Sequence, residues 1–119
     1  MRQRVGIARA FALEPRLLLL DEPFSLLDAL TRMDLQDELM ALWERTRRTV
    51  VMVTHDVDEA ILLADRIYPM TPGPGARLGA PIEVGLPRPR SRRHMSLTPA
   101  YQKARQALVD FLRSRRRVA

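Results

Sequence analysis

Two adjacent carboxylates, Asp21 and Glu22, stand directly after four consecutive leucines at residues 17–20, and Pro23 follows them. Four leucines in a row read as a short strand buried on both faces, as in a parallel sheet covered by helices. Open α/β sheets bind ligands at the carboxyl ends of their strands, which is where this acid pair falls. One carboxylate there suits Mg²⁺, a hard cation that takes oxygen ligands, and its neighbour suits a general base. The competing reading is that the acids only cap the following turn. A second apolar run, TVVMVT at residues 49–54, carries His55 at its end. A lone histidine is more often a satisfied structural residue than a chemical one.

The elements that must position these groups alternate. Residues 2–13 have helical spacing, with Val5, Ala8 and Ala12 and then Ile7, Ala10 and Phe11 three and four apart. Pro15 ends that helix, because the residue before a proline is biased away from the α region. After the leucine strand, residues 24–28 form a loop. Residues 29–45 form a second helix, with Leu35, Leu39 and Leu42 on one stripe and Met40 and Trp43 beside it. The β-branched run at 49–54 is a second buried strand. Asp56-Val57-Asp58-Glu59 reads as a capping box that opens a short helix to about Ala64. Residues 66–70 are a weaker third strand, in which Pro69 demands an edge or a position whose N–H is not needed. Helix and strand alternating over short links imply an α/β parallel sheet flanked by helices.

Beyond residue 72 the composition changes, so the chain divides into segments 1–72 and 73–119. Six of the nine prolines lie between Pro69 and Pro89 with Gly73, Gly75 and Gly79 among them, which indicates an irregular segment with room for a short strand pair over 78–86. PRPRSRR at 87–93 reads as a basic, extended connector. Thr98-Pro99 resembles an N-cap followed by proline at the first helical position. The closing amphipathic helix, residues 100–115, puts Ala104, Leu108, Phe111 and Leu112 on one face and leaves Arg113, Arg115, Arg116 and Arg117 to solvent. The net charge of +6 is uneven, at −3 over residues 1–72 and +9 over 73–119. With no cysteine, neither a disulfide framework nor a thiolate metal site is available. The apolar runs are too short to cross a bilayer, and Met1-Arg2-Gln3-Arg4 lacks the apolar core of a secretory signal. A cytosolic protein is the expectation.

Four ordered stretches then carry a resemblance. LLLLDEP at 17–23 resembles a Walker B segment, SLLDA at 25–29 a D-loop, and Thr54-His55-Asp56 the H-loop of ABC-transporter ATPases. MRQRVGIARA at 1–10 resembles the helix that follows the family's LSGGQ signature, and the tail with LPRPR at 86–90 is similar to cassettes of nitrate, sulfonate and taurine importers. The resemblance implies a partial P-loop NTPase fold and an ATPase that couples hydrolysis to transport. It implies Asp21 on Mg²⁺, through water, and Glu22 polarising the attacking water. It also implies His55 donating to a γ-phosphate oxygen and Asp28 reaching across a dimer interface. Asp28 reads equally as a turn or N-cap residue. Met1 and Gln3 would join the nucleotide site through the post-signature helix, whose N-terminal dipole favours phosphate. ATP and Mg²⁺ are the implied cofactors. A second ATPase subunit, membrane-embedded permease subunits and, indirectly, a periplasmic or lipoprotein solute-binding protein are the implied partners. The implied location is the cytoplasmic face of the plasma membrane.

No G-x-x-x-x-G-K-[S/T] loop occurs in the sequence, so it holds no backbone cradle or lysine for the β- and γ-phosphates. The expectation is therefore the C-terminal half of a cassette, beginning inside the signature through a truncation, a frameshift or a start codon placed late. Such a half should neither bind nor hydrolyse ATP, and its strands should show an unpaired edge and an uncovered face. A reading from another class is a nucleic-acid-binding protein that neutralises phosphates with Arg88, Arg90, Arg92, Arg93 and Arg113 to Arg117. A DNA- or ribosome-acting ABC-type ATPase is its variant. The absence of a base-reading motif and the scarcity of tail aromatics argue against both.

Overall fold

A computed structural model describes residues 2–116, with side chains described from Val5 to Ser114. The described residues form an α/β structure in two compact units, 1–55 and 56–119. This packing division falls at His55/Asp56, upstream of the change in composition after residue 72. The two mark different things, one contact density and the other residue usage.

The first unit runs α1 (Arg2–Ala12), β1 (Leu17–Asp21), α2 (Ala29–Thr46) and β2 (Thr49–Val53). α1 ends where Glu14 turns left-handed at φ 50° just ahead of Pro15. α1 packs on α2, and Ile7, Phe11, Phe24, Leu35 and Leu39 are the buried apolar side chains of the unit. α2 closes at Arg47, left-handed at φ 52°, whose N–H donates to the Trp43 carbonyl. The Arg47 guanidinium lies 4.5 Å over the Trp43 ring, and the Trp43 indole donates to the Arg48 carbonyl at 2.7 Å. β1 and β2 are parallel, with Leu17 opposite Thr49 and Asp21 opposite Val53.

The strands are not buried on both faces, as the leucine run suggested. Exposure alternates along each strand. Leu17 (53%), Leu19 (69%), Val51 (49%) and Val53 (49%) leave one face open, while Leu18, Leu20, Val50 and Met52 are half-buried. One face of the two strands is partly covered and the other is not, so the period-2 geometry of the strand shows through. The expected uncovered face is present.

The second unit holds α3 (Val57–Leu63), β3 (Arg66–Ile67), β4 (Ile82–Glu83), α4 (Arg92–Met95) and α5 (Pro99–Arg116). Asp56 caps α3 as expected, its carboxylate accepting from the Glu59 N–H at 3.0 Å. The third strand departs from expectation. β3 is two residues long and pairs antiparallel with β4, Arg66 opposite Glu83, and does not join the parallel sheet. Pro69 explains the brevity, since it has no N–H for a ladder. Its carbonyl accepts from the Gly79 N–H at 2.6 Å, and a bridge links Met70 to Leu78.

Two arginines of the basic connector are structural, which the sequence reading of that stretch as an extended basic strap did not anticipate. Arg90, with its side chain 3% exposed, donates to the carbonyls of Ile61, Leu62 and Ala64 at 2.6–3.2 Å and to Leu86 at 3.1 Å. Arg88 donates to the Leu63 carbonyl at 2.7 Å and to Asp65 at 3.0 Å. Four successive carbonyls at the end of α3 thus receive cationic donors, where a helix leaves them unpaired and its dipole is negative.

α5 begins with proline at its first position, and the Thr98 hydroxyl accepts from the Tyr101 N–H at 3.4 Å. It packs against α3 and β4, burying Ala104 and Leu108. Tyr101 donates to Asp58 at 2.7 Å, and this bond to the carboxylate pushes the phenol above its ordinary range. Phe111 is half-buried and Leu112 remains 36% exposed at the margin of the stripe. Arg113 is exposed, whereas the side chains of Arg115, Arg116 and Arg117 lie outside the described residues. A β-carbon on Gly79 would meet the Phe111 ring at 2.7 Å and 2.9 Å and Pro69 at 3.2 Å.

Two outcomes follow for urea or thermal unfolding of this chain. Arg90→Met, by stripping cationic donors from buried carbonyls, should cost about 3 kcal/mol, whereas Arg77→Met on the exposed loop should stay within about 0.5 kcal/mol. Equal effects would mean that the carbonyls are satisfied another way. Gly79→Ala should destabilise by roughly 1–3 kcal/mol through crowding of the ring. In a Phe111→Ala background, where the ring is gone, most of that cost should vanish. Strict additivity of the two changes would remove Gly79 from the packing of α5.

Candidate functional site

The parallel ladder sets the site. Asp21 is the last residue of β1, and Glu22 continues the pairing by donating its N–H to the Val53 carbonyl at 2.8 Å. The two strands therefore end together, and His55 follows β2 by two residues. His55 Nδ1 lies 2.7 Å from Glu22 Oε1, across 33 residues of sequence. Both side chains are open to solvent, His55 at 77% and Glu22 at 41%. With Glu22 ionised, Nδ1 carries the hydrogen and donates it, which orients the ring and leaves Nε2 free of this contact. The second carboxylate oxygen is likewise outside this bond.

Glu22 is left-handed, at φ 44°. A non-glycine residue in that region is held there by its surroundings. Here the restraint comes from both sides, the Val53 bond before it and a tight turn after it in which the Ser25 N–H donates to the Glu22 carbonyl. Phe24, fully buried, anchors that turn. Arg32 of α2 reaches back to the Leu27 carbonyl at 3.3 Å. Phe24 and Arg32 support the site and were not singled out from sequence. Phe24 carried a weak signal as the one aromatic of its loop, while the carbonyl bond of Arg32 had none.

Asp21 is exposed, on the same strand face as Leu17 and Leu19. Its donor set fits a cation in a limited way. Among the described residues no group of three His, Asp or Glu side chains could hold a metal. A single open carboxylate matches Mg²⁺ that keeps its waters and shares a ligand's phosphates, not a cation caged by protein.

Asp28 stands at the N-cap position of α2 with extended backbone, and its carboxylate makes no capping bond to the backbone of the first turn. Its partner is Thr31, whose hydroxyl is the main cause holding the carboxyl below the usual carboxylate range. Being fully exposed, it is available to another molecule. Asp21, Glu22 and His55 are thus brought to one end of the sheet, and Asp28 is placed at the head of α2. Of the remaining candidates, Met1 lies outside the described residues and so does the side chain of Gln3. His94 is exposed, in keeping with a solvated role.

No family model matches the chain. Individual relatives do. It is 53% identical over 118 residues to the bicarbonate transport ATP-binding protein CmpC of Synechocystis sp., covering 99% of this chain and 18% of that protein. It is 55% identical over 117 residues to the nitrate import ATP-binding protein NrtC of Synechococcus elongatus, covering 98% and 18%. It is 54% identical over 112 residues to the nitrate transport protein NasD of Klebsiella oxytoca, covering 94% and 43%. The chain spans less than half the length of the curated relatives it matches. With half of its residues identical across nearly all of its own length, and with the motif order and strand ends described above, the chain is similar to a portion of the ABC-transporter ATP-binding proteins.

Proposed function

We propose that this chain is the C-terminal half of the ATP-hydrolysing, energy-coupling subunit of an importer for small anionic or zwitterionic solutes, with nitrate, bicarbonate, sulfonates and taurine as the solute class. The observation that carries this reading is the Glu22–His55 pair, 2.7 Å apart beside Asp21 at the ends of two parallel strands. On this reading residues 1–72 belong to the P-loop NTPase core and residues 73–119 form its connector and closing helix. The open face of Leu17, Leu19, Val51 and Val53 supports it, since these strands would lie inside a larger sheet in a complete cassette.

Each residue then has a role. Asp21, with Mg²⁺ bound, is the carboxylate that would hold it through water, and the cation supplies neutralisation of phosphate charge. Glu22 takes the proton of the attacking water through the carboxylate oxygen that His55 does not occupy. Its left-handed backbone and the bond to Val53 hold the main chain from which that carboxylate projects, and the bond to His55 restrains the carboxylate itself. His55 is oriented by Glu22, and a hydrogen bond from its Nε2 to a γ-phosphate oxygen requires the imidazolium form, because Nδ1 already donates. Asp28 faces a second ATPase subunit, and the region of Met1 and Gln3 faces the nucleotide held by that subunit. Permease subunits in the membrane and a solute-binding protein complete the system, with the ATPase peripheral on the inner face of the plasma membrane. None of the described helices is long and apolar enough to cross a membrane.

The nucleic-acid reading loses ground on a specific point. Arg88 and Arg90, two of its cations, are committed to α3 carbonyls and Asp65.

Two measurements test the reading. The 119-residue chain should show no measurable Mg-ATP affinity by titration calorimetry, because its exposed acids repel a polyphosphate and it has no phosphate loop. Micromolar binding would refute this. With the upstream portion of NasD joined ahead of Met1, ATP binding and turnover should appear. In that fusion Glu22→Gln should keep binding and lose on the order of a hundredfold or more in turnover. Near-normal turnover in the variant would assign the base elsewhere.

A further inference from the structure

We propose that the turn formed by α4 and the residues up to Thr98 is a docking surface for an anionic lipid bilayer. Arg93 and His94 would meet headgroup phosphates and Leu97 would enter the interface. This inference stands apart from the ATPase reading and needs none of its residues.

The geometry starts with hydrogen bonds. The N–H of Met95 donates to Ser91, Ser96 to Arg92, Leu97 to His94 and Thr98 to Met95, so helix-like spacing persists through Thr98. Met95 is the inward residue of this turn, 8% exposed. Residues three and four apart share a side, which places Arg93, His94 and Leu97 together on the side away from Met95. All three are exposed, and Leu97 is 80% exposed. The core therefore makes no use of this leucine.

The stretch of chain that carries it has charge of one sign. Residues 84–109 contain no Asp or Glu. Of the cations in that run, Arg88 and Arg90 are engaged with α3 and Asp65, and Arg105 lies 3.8 Å from Asp58. Arg92 is half-buried, and Arg93 and Lys103 are exposed, as is His94. A basic turn that carries an exposed aliphatic side chain complements an anionic headgroup layer, where the cations meet phosphate and the leucine leaves water. A single nucleic-acid strand would call for a stacking aromatic in the same place. The nearest in sequence, Tyr101, is bound to Asp58.

Vesicle co-sedimentation of the full 119-residue chain tests this. Binding is expected to phosphatidylcholine vesicles that contain phosphatidylglycerol, not to phosphatidylcholine alone, and should weaken as salt rises. Arg93→Gln should reduce the partition coefficient about fivefold, and Leu97→Ser on the order of tenfold. Both sites are exposed, so circular dichroism should be unchanged. Arg45→Gln, with the same loss of charge on α2, should leave binding within about twofold. The proposal is overturned if anionic vesicles are not bound or if Arg45→Gln matches Arg93→Gln. It is equally overturned if Leu19→Ser on the open strand face matches Leu97→Ser. Displacement of the chain from vesicles by duplex DNA would assign the surface to nucleic acid instead.

Discussion

Everything chemical in the first unit depends on one register, the parallel pairing of β1 with β2. Parallel strands cannot be joined by a tight turn, so the chain must cross back through a helix before the second strand can pair. α2 supplies that crossover between Ala29 and Thr46. With Asp21 opposite Val53, the residues just beyond both strand ends arrive together, and Glu22 meets His55. A slip of one position would turn the alternate faces over and separate the pair. The extra bond from the Glu22 N–H to Val53 extends the ladder by one residue, so the register is held at the point where the chemistry sits.

The second unit solves a different problem. α3 is seven residues long, too short to be stable through its own hydrogen bonds. Its first turn is satisfied by Asp56 and its last carbonyls by Arg88 and Arg90. α5 then covers it, aligned by Tyr101 on Asp58 and by the packing of Phe111 over Gly79. A proline- and arginine-rich stretch that looks like a flexible strap is thus a helix cap delivered from 25 or more residues away. The side-chain burial of Arg90 is tolerable because its donors are matched by carbonyl acceptors.

The two units carry different surfaces. The first leaves an apolar strand face in water, a liability for association when nothing covers it. In the second, the leucine open to solvent on the α4 turn has no acid within its own stretch of chain. A net charge of +6 taken over the whole chain hides this contrast, as it also hides the acidic balance of the segment that bears the site.

Much was legible in the residues themselves. The leucine run with its acid pair, the β-branched run with its histidine, the capping box at Asp56 and the proline at the start of α5 are local signals. Local propensity and capping chemistry act over a few residues, so element positions followed to within a residue or two for α1, α2, β2 and α3. What the residues could not state was which faces find partners. Four leucines look the same whether one or two layers cover them, and only the packing shows Leu17 and Leu19 open. The third strand read as one more member of a parallel sheet, yet Pro69 cut it short and it paired with Ile82–Glu83 instead. Arg90 read as part of a basic, extended connector because nothing in its neighbourhood names the α3 carbonyls. Long-range pairing is decided by which buried polar groups remain to be satisfied once the elements have packed, and that is a property of the tertiary structure alone.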